Sequence, residues 1–129
     1  MKMRRIDHVV LTVSNLEQAR RFYHEVFDMP VIEQQTSSDC ITLRCGHQLL
    51  RLQQGERKAL GAAQPTVGAA DLALVCGDKI DDVLHHLKSY YVDVIAGPLP
   101  KLGAEGAMTS VYLRDPDQNL IELVFYQNK

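Results

Sequence analysis

Val111-Tyr112-Leu113-Arg114-Asp115-Pro116-Asp117-Gln118-Asn119-Leu120-Ile121-Glu122-Leu123-Val124-Phe125 reads as strand, tight turn, strand. Tyr112 and Leu113 carry strand propensity before the turn, and residues 120–125 carry it after. Asp-Pro-Asp-Gln-Asn is turn chemistry: Pro116 sets φ, and the Asp and Asn side chains can bond back to the backbone. With a period of two, Ile121, Leu123 and Phe125 share one face, and Leu120, Glu122 and Val124 share the other. Glu122 is thus a lone carboxylate in an apolar strand, and burying it requires a partner.

The same alternation recurs at the start of the chain. Residues 6–13 alternate around His8, with Val9, Leu11 and Val13 opposite His8, Val10 and Thr12. Ser14 or Asn15 then caps a helix whose apolar stripe is Leu16, Ala19, Phe22, Tyr23 and Val26. Pro30 ends it by disfavouring helix at Met29. Three short strands are expected at 31–35, 40–45 and 47–53, with Gly46 at the last turn. Residues 54–68 lose periodicity and carry Gly55, Gly61, Pro65 and Gly68. The pattern then restarts with a strand at 71–76 and a helix from about Asp78 with Ile80, Val83, Leu84 and Leu87 as its stripe. A short strand at 92–96 and a Gly- and Pro-rich loop at 97–106 precede the closing hairpin.

Both halves therefore run strand, helix, three strands. We expect one domain over 1–129: module 1 at about 5–54, a linker at about 55–68, and module 2 at about 69–126. The fold class is α+β, with two βαβββ modules and helices outside. Either half alone would have a thin core. The halves align residue by residue. Ile6-Asp7-His8 lies over Ala69-Ala70-Asp71, Ile41-Thr42-Leu43-Arg44 over Val111-Tyr112-Leu113-Arg114, and Leu49-Leu50-Arg51-Leu52 over Leu120-Ile121-Glu122-Leu123. Four polar residues thus occupy repeat-related positions: His8, Arg51, Asp71 and Glu122. An imidazole with two carboxylates suits Mn, Fe, Ni or Zn better than a soft thiolate site.

The totals narrow the partners. The 129 residues are 46% hydrophobic and 23% charged, with a net charge of −2, so no basic footprint for nucleic acid or an anionic membrane is present. No apolar run is long enough to span a bilayer, and the basic start (Lys2, Arg4, Arg5) leads into Asp7 and His8, not into a secretory apolar core. Cys40, Cys45 and Cys76 form no Cys-x-x-Cys pair, and we expect them reduced, in a cytoplasmic protein.

The paired modules, the opening Ile-Asp-His-Val-Val-Leu-Thr-Val, Phe22-Tyr23 and the closing Arg-Asp-Pro-Asp-Gln-Asn-Leu-Ile-Glu-Leu together resemble the vicinal oxygen chelate superfamily. That superfamily includes glyoxalase, fosfomycin-resistance thiol transferases, extradiol dioxygenases and bleomycin-binding proteins. The chain looks most similar to its small, single-domain glyoxalase-like members. The resemblance implies that the two modules form a U-shaped, partly open mixed sheet holding a divalent ion chelated by two adjacent substrate oxygens, with metal ligands at His8, Asp71 and Glu122. Asp71 stands where His is usual and remains a competent ligand. Arg51 stands where Glu or Gln often serves and cannot ligate, because its guanidinium stays protonated.

Arg51 has two alternative roles: an ion pair with Glu122 or Asp71 in place of a metal, or recognition of an anionic substrate group beside one. Gln53 shares the strand face of Arg51 and is a further substrate-contact candidate. Lys101 in Gly-Pro-Leu-Pro-Lys is a candidate lid residue, and Tyr112 a candidate substrate contact or edge aromatic. The resemblance points first to a metal-dependent enzyme of the lactoylglutathione lyase, isomerase or thiol-transfer kind, with Glu122 as catalytic base. The substrate would be small, anionic or glutathione-linked. A metal-free binding protein of the bleomycin-resistance type is the alternative, and an extradiol dioxygenase the third. A homodimer is expected on the same resemblance.

Overall fold

The computed structural model describes residues 1–127. They form two compact units that divide between Ala69 and Ala70. In the first unit, β1 (His8–Val13), β3 (Gln48–Gln54) and β2 (Cys40–Cys45) form a sheet in the order β1-β3-β2. β1 runs parallel to β3 and β2 antiparallel to it. Helix α1 (Leu16–Arg21) begins at Asn15, whose side chain accepts from the Gln18 amide at 2.8 Å. It widens into a single π-helical stretch, Phe22–Val26, where the Phe27 amide bonds the Phe22 carbonyl. Ala19, Tyr23 and Val26 are buried, as are Leu11, Val13, Ile41, Leu43, Leu50 and Leu52. The alternation read from the sequence thus selects the core face of each strand, and α1 packs against β2 and β3.

In the second unit the order is β4 (Asp71–Val75), β7 (Leu120–Phe125), β6 (Gly106–Arg114) and β5 (Ala96–Gly103), with α2 (Ile80–Ser89) after β4. β4 is parallel to β7, and the other two pairings are antiparallel. Val111, Leu113, Ile121 and Leu123 are buried on one face, and Leu87 is buried on α2. Two small mixed sheets with few helices make this an α+β protein, consistent with paired glyoxalase-like modules.

The repeat is visible in the pairing register. His8 lies opposite Leu49 and Val10 opposite Arg51, while Asp71 lies opposite Leu120 and Ala73 opposite Glu122. Thr42 faces Arg51 as Tyr112 faces Glu122. Each correspondence expected from the aligned halves therefore has the same place in its own sheet.

Three local expectations are corrected. Residues 31–35 are not a strand: Val31 makes one isolated bridge to Leu43, and Glu33–Gln35 is a 3₁₀ turn. Two backbone bonds to β2 remain, from the Ile32 amide to the Thr42 carbonyl and from the Arg44 amide to the Pro30 carbonyl, and threonine hydroxyls add to them. Thr36 Oγ1 donates to the Ile32 carbonyl and accepts from the Thr42 amide, and Thr42 Oγ1 donates to the Gln35 carbonyl. Of the strand expected at 92–96, residues 92–95 are not a strand either, and Ala96 is the first residue of β5. Tyr91 adopts φ 59° and the Val92 amide closes α2 on the Leu87 carbonyl, a left-handed helix stop.

Residues 97–106, expected as a loop, are mostly strand β5 and its turn. β5 pairs only with β6, so it is an edge, where prolines that lack an N–H are tolerated. The register shifts between Ala96 and Leu99, and Gly97 sits at φ 99° with its backbone against the Ser110 carbonyl. A bulge at an edge, not a loop, is what Gly97 and Pro98 mark. Lys101, expected on a lid, is accordingly a strand residue opposite Met108.

Candidate functional site

The open face of each sheet carries the polar residues singled out from the sequence. On β7, Glu122 is half-buried, and its Oε2 accepts a 2.5 Å hydrogen bond from Ser110 Oγ. Ser110 lies on β6 two residues before Tyr112, the cross-strand partner of Glu122. The buried serine thus supplies a partner for the carboxylate within its own unit. No signal in the sequence singled out Ser110; its role depends on the antiparallel register, which places alternate β6 residues on the Glu122 face. Lys101 Nζ stands 5.9 Å from the centroid of the Tyr112 ring, within cation–π range. Asp71 opens β4 on the same face and is exposed.

In the first unit, four side chains form a chain of contacts. Asp7 Oδ1 bonds His8 Nδ1 at 2.8 Å, Arg51 Nη1 lies 3.2 Å from His8 Nε2, and Arg51 Nη2 donates to Gln35 Oε1 at 2.9 Å. A guanidinium offers only donors, so Nε2 is the acceptor and Nδ1 carries the proton that Asp7 receives. That hydrogen bond, first among the causes, holds the Asp7 carboxyl below the ordinary aspartate range. Asp7 and Gln35 were missed in the sequence. Asp7 is legible only once His8 is chosen, and Gln35 only once the 3₁₀ turn brings it over β3.

Gln53 lies two residues beyond Arg51 on the same strand face, opposite Thr12 and Cys40. It borders a hollow of about 230 Å³ whose walls include Val10, Thr12, Lys58, Leu60 and Pro65. Lys58 is anchored by Asp39, 3.1 Å away, and Ser37 Oγ donates to the other carboxylate oxygen at 2.9 Å. These bonds, Lys58 first, keep the Asp39 carboxyl below its ordinary value.

The closing turn has a structural task. Asp115 Oδ1 accepts from the Asp117 and Asn119 amides, both at 2.9 Å, and Oδ2 accepts from Asn119 Nδ2 at 2.8 Å. Asn119 Oδ1 in turn accepts from the Ala70 amide at 2.8 Å, tying the turn to the residue before β4. Both side chains are buried. The Asp-Pro-Asp-Gln-Asn motif therefore sets the β4–β7 pairing that positions Asp71 and Glu122.

Within neither unit, among the described residues, do three His, Cys, Asp or Glu side chains gather as a metal site. The first unit offers His8, and the second offers Asp71 and Glu122. Cys40, Cys45 and Cys76 are not joined in a disulfide, and burial pushes the thiol of Cys45 up. Among the described residues no helix is long and apolar enough to cross a membrane.

Residues 5–123 match the family model described as Glyoxalase/Bleomycin resistance protein/Dioxygenase superfamily. A virulence protein of Salmonella typhimurium is 37% identical over 123 residues, covering 95% of this chain and 84% of that protein. The crystal structure of that virulence protein matches with a TM-score of 0.90 over 98% of this chain and 100% of the other. A glyoxalase domain-containing protein of Mycosarcoma maydis is 36% identical over 129 residues, 99% of this chain and 72% of that protein. An integron cassette protein from the mobile metagenome of V. cholerae matches with a TM-score of 0.90 and 37% identity over 98% of both chains. The chain belongs to the glyoxalase/bleomycin resistance protein/dioxygenase superfamily, the vicinal oxygen chelate group that its repeated modules and closing motif resemble.

Proposed function

We propose that this chain acts on a small substrate with vicinal oxygens, using a divalent ion of the Mn, Ni, Zn or Fe kind held by His8, Asp71 and Glu122. Superfamily members typically use divalent metals. The observation that carries the proposal is the orientation of His8: Asp7 takes the Nδ1 proton, so the lone pair is on Nε2, where Arg51 now meets it. A ligating imidazole commonly donates its second nitrogen to a carboxylate in this way. One imidazole and two carboxylates are also a chemically suitable donor set for such ions. When bound, the ion polarises substrate oxygens and stabilises negative charge developing on them.

The chain's own residues supply the rest. Ser110 holds one oxygen of Glu122 and so fixes the carboxylate that would take a proton from the substrate. Arg51 remains charged and binds an anionic substrate group. Gln53, Tyr112 and Lys101 contact the substrate on the two open faces. A single candidate base together with Arg51 favours lyase, isomerase or thiol-transfer chemistry on an anionic or glutathione-linked molecule. The protein works in the cytoplasm as a homodimer.

A second reading rests on the 3.2 Å contact of Arg51 Nη1 with His8 Nε2. A guanidinium already faces the lone pair that a metal would need, as in a metal-free binding protein of the bleomycin-resistance type. Elemental analysis of untagged protein after loading with Mn, Ni, Zn and Fe separates the two. The proposal expects stoichiometric metal in the wild type and its loss in Glu122→Gln and His8→Ala. No bound metal in the wild type would overturn it in favour of the second reading. With metal bound, consumption of the methylglyoxal–glutathione hemithioacetal tests the isomerase branch.

A further inference from the structure

We infer that the hollow bordered by Val10 and Gln53 is the seat of an apolar substrate tail, and that the substrate is a small amphipathic anion with its charged end at Arg51. The inference deepens the proposed function and rests on it only in taking Arg51 as the anion-facing residue. The sheet register places the two features side by side. Val10 is the β1 partner of Arg51, and Gln53 follows Arg51 by two residues on the same face. Successive residues on one face are about 7 Å apart along a strand, so a short molecule spans from guanidinium to hollow.

The two ends differ in chemistry. The hydrogen-bond partners of Arg51 are an imidazole nitrogen and an amide oxygen, and the nearby Asp7 carboxylate is bonded to the far side of that imidazole, so the guanidinium can still pair directly with an incoming carboxylate or phosphate. The hollow, by contrast, has Val10, Leu60 and Pro65 among its walls, and the carboxylate that shares its lining, Glu56, disfavours the charged end there. The cation at its rim, Lys58, is committed to Asp39. At about 230 Å³ it lies below the roughly 300 Å³ from which drug-sized ligand pockets begin, so it takes a short chain and not a large ring system.

The hollow exists because the stretch between the modules is fastened over the end of the open face. The Gln54 amide bonds the Asp39 carbonyl at 3.2 Å, and Gln54 Oε1 accepts from the Leu16 amide at 3.1 Å. Lys58 then returns to the Asp39 carboxylate, and the Gly61 amide closes a turn on the Lys58 carbonyl. Leu60, at the tip of this turn, is fully exposed at 103%, and Val10 is 45% exposed. Two apolar side chains are thus left facing water at a concave site, where an apolar ligand would cover them.

The test is titration of full-length protein with acetate, butyrate, hexanoate and octanoate in the presence of EDTA, read by amide shifts at residues 10, 12, 53 and 60. Affinity should tighten about fourfold for each methylene buried until the hollow fills. Hexylamine, with the same tail and opposite charge, should bind at least tenfold more weakly than hexanoate. Arg51→Gln should weaken all four acids by a similar factor. Val10→Phe, which fills the hollow, should remove the gain with length while acetate binds as before. Leu60→Ser, at a fully exposed position, should reduce the gain. Affinity independent of length, hexylamine binding as well as hexanoate, or a Val10→Phe variant that keeps the gain would each overturn the inference. Because metal is chelated throughout, these outcomes are independent of the metal analysis. Graded binding of the acids by a protein that takes up no metal would overturn the metal proposal alone.

Discussion

At the scale of single residues, the side chains with the most demanding surroundings are not those most obvious from the sequence. Asp115 is buried and accepts three hydrogen bonds, from two amides and Asn119 Nδ2. Asp115→Ala should cost about 3 kcal/mol, because buried donors lose a charged acceptor. Urea unfolding followed by circular dichroism measures this, and a loss below about 1 kcal/mol would contradict the role assigned to the turn. Ser110→Ala should cost about 1–3 kcal/mol by leaving Glu122 Oε2 without its hydroxyl. Glu122→Gln should cost less, since an amide oxygen still accepts from Ser110. A double-mutant cycle on the pair reads their coupling directly, and additive losses would show that the short contact is not a stabilising bond. The sequence exposed Glu122 as anomalous but not its serine, because period-two reasoning within one strand cannot name a neighbour on another.

Among the elements, β5 shows how an edge can resemble a loop in sequence. Gly97 has φ 99°, and a methyl group there would run into the Ser110 carbonyl. Gly97→Ala should therefore destabilise the protein by about 2 kcal/mol, through left-handed strain and a backbone clash. Thermal unfolding tests it, with Gly55→Ala, also at positive φ but in open space, as the comparison for strain alone. The turn over the hollow carries a pH dependence of defined sign. Asp39 has its carboxyl depressed by Lys58 and then Ser37, so the latch is fully formed above the ordinary aspartate value, ~3.9, and released as pH falls through the lower folded value. Amide shifts of Gly55 and Gly61 should show an inflection in that acid window, absent in Asp39→Asn. Both partners are substantially exposed, so the effect belongs to the loop and leaves global stability almost unchanged.

For the whole molecule, the two units have the same register at the positions that matter, with His8 and Asp71 each opening a strand and Arg51 and Glu122 each central to another. The repeat makes an ordered set of polar residues that would otherwise be isolated along the sequence. The proposed homodimer has a consequence at this scale. Its melting temperature should rise with protein concentration, because association stabilises the folded chain by mass action. A monomeric mass by light scattering, with a melting temperature constant over a hundredfold dilution, would rule the dimer out. Ile95, Leu99 and Leu102, which are exposed in or beside the edge strand β5, are apolar side chains that association could cover.

Alternation of apolar and polar residues, the Asn15 cap, the turn chemistry of residues 115–119 and the internal repeat were enough to determine the α+β class, most strands and helices, and the face on which His8, Arg51, Asp71 and Glu122 lie. These features are local, or repeat at fixed spacing, so one chain carries them without reference to its neighbours in space. Tertiary structure decided the rest. It made residues 31–35 a 3₁₀ turn held by Thr36 and Thr42, and it made Gly97 and Pro98 a bulge in an edge strand. It gave Glu122 its serine, gave His8 its pairing with Asp7, and placed Arg51 between His8 and Gln35. The adjacent Asp7–His8 pair apart, these depend on which segments meet and in what register, and a contact such as Arg51 with His8, 43 positions away, leaves no periodic trace in the sequence.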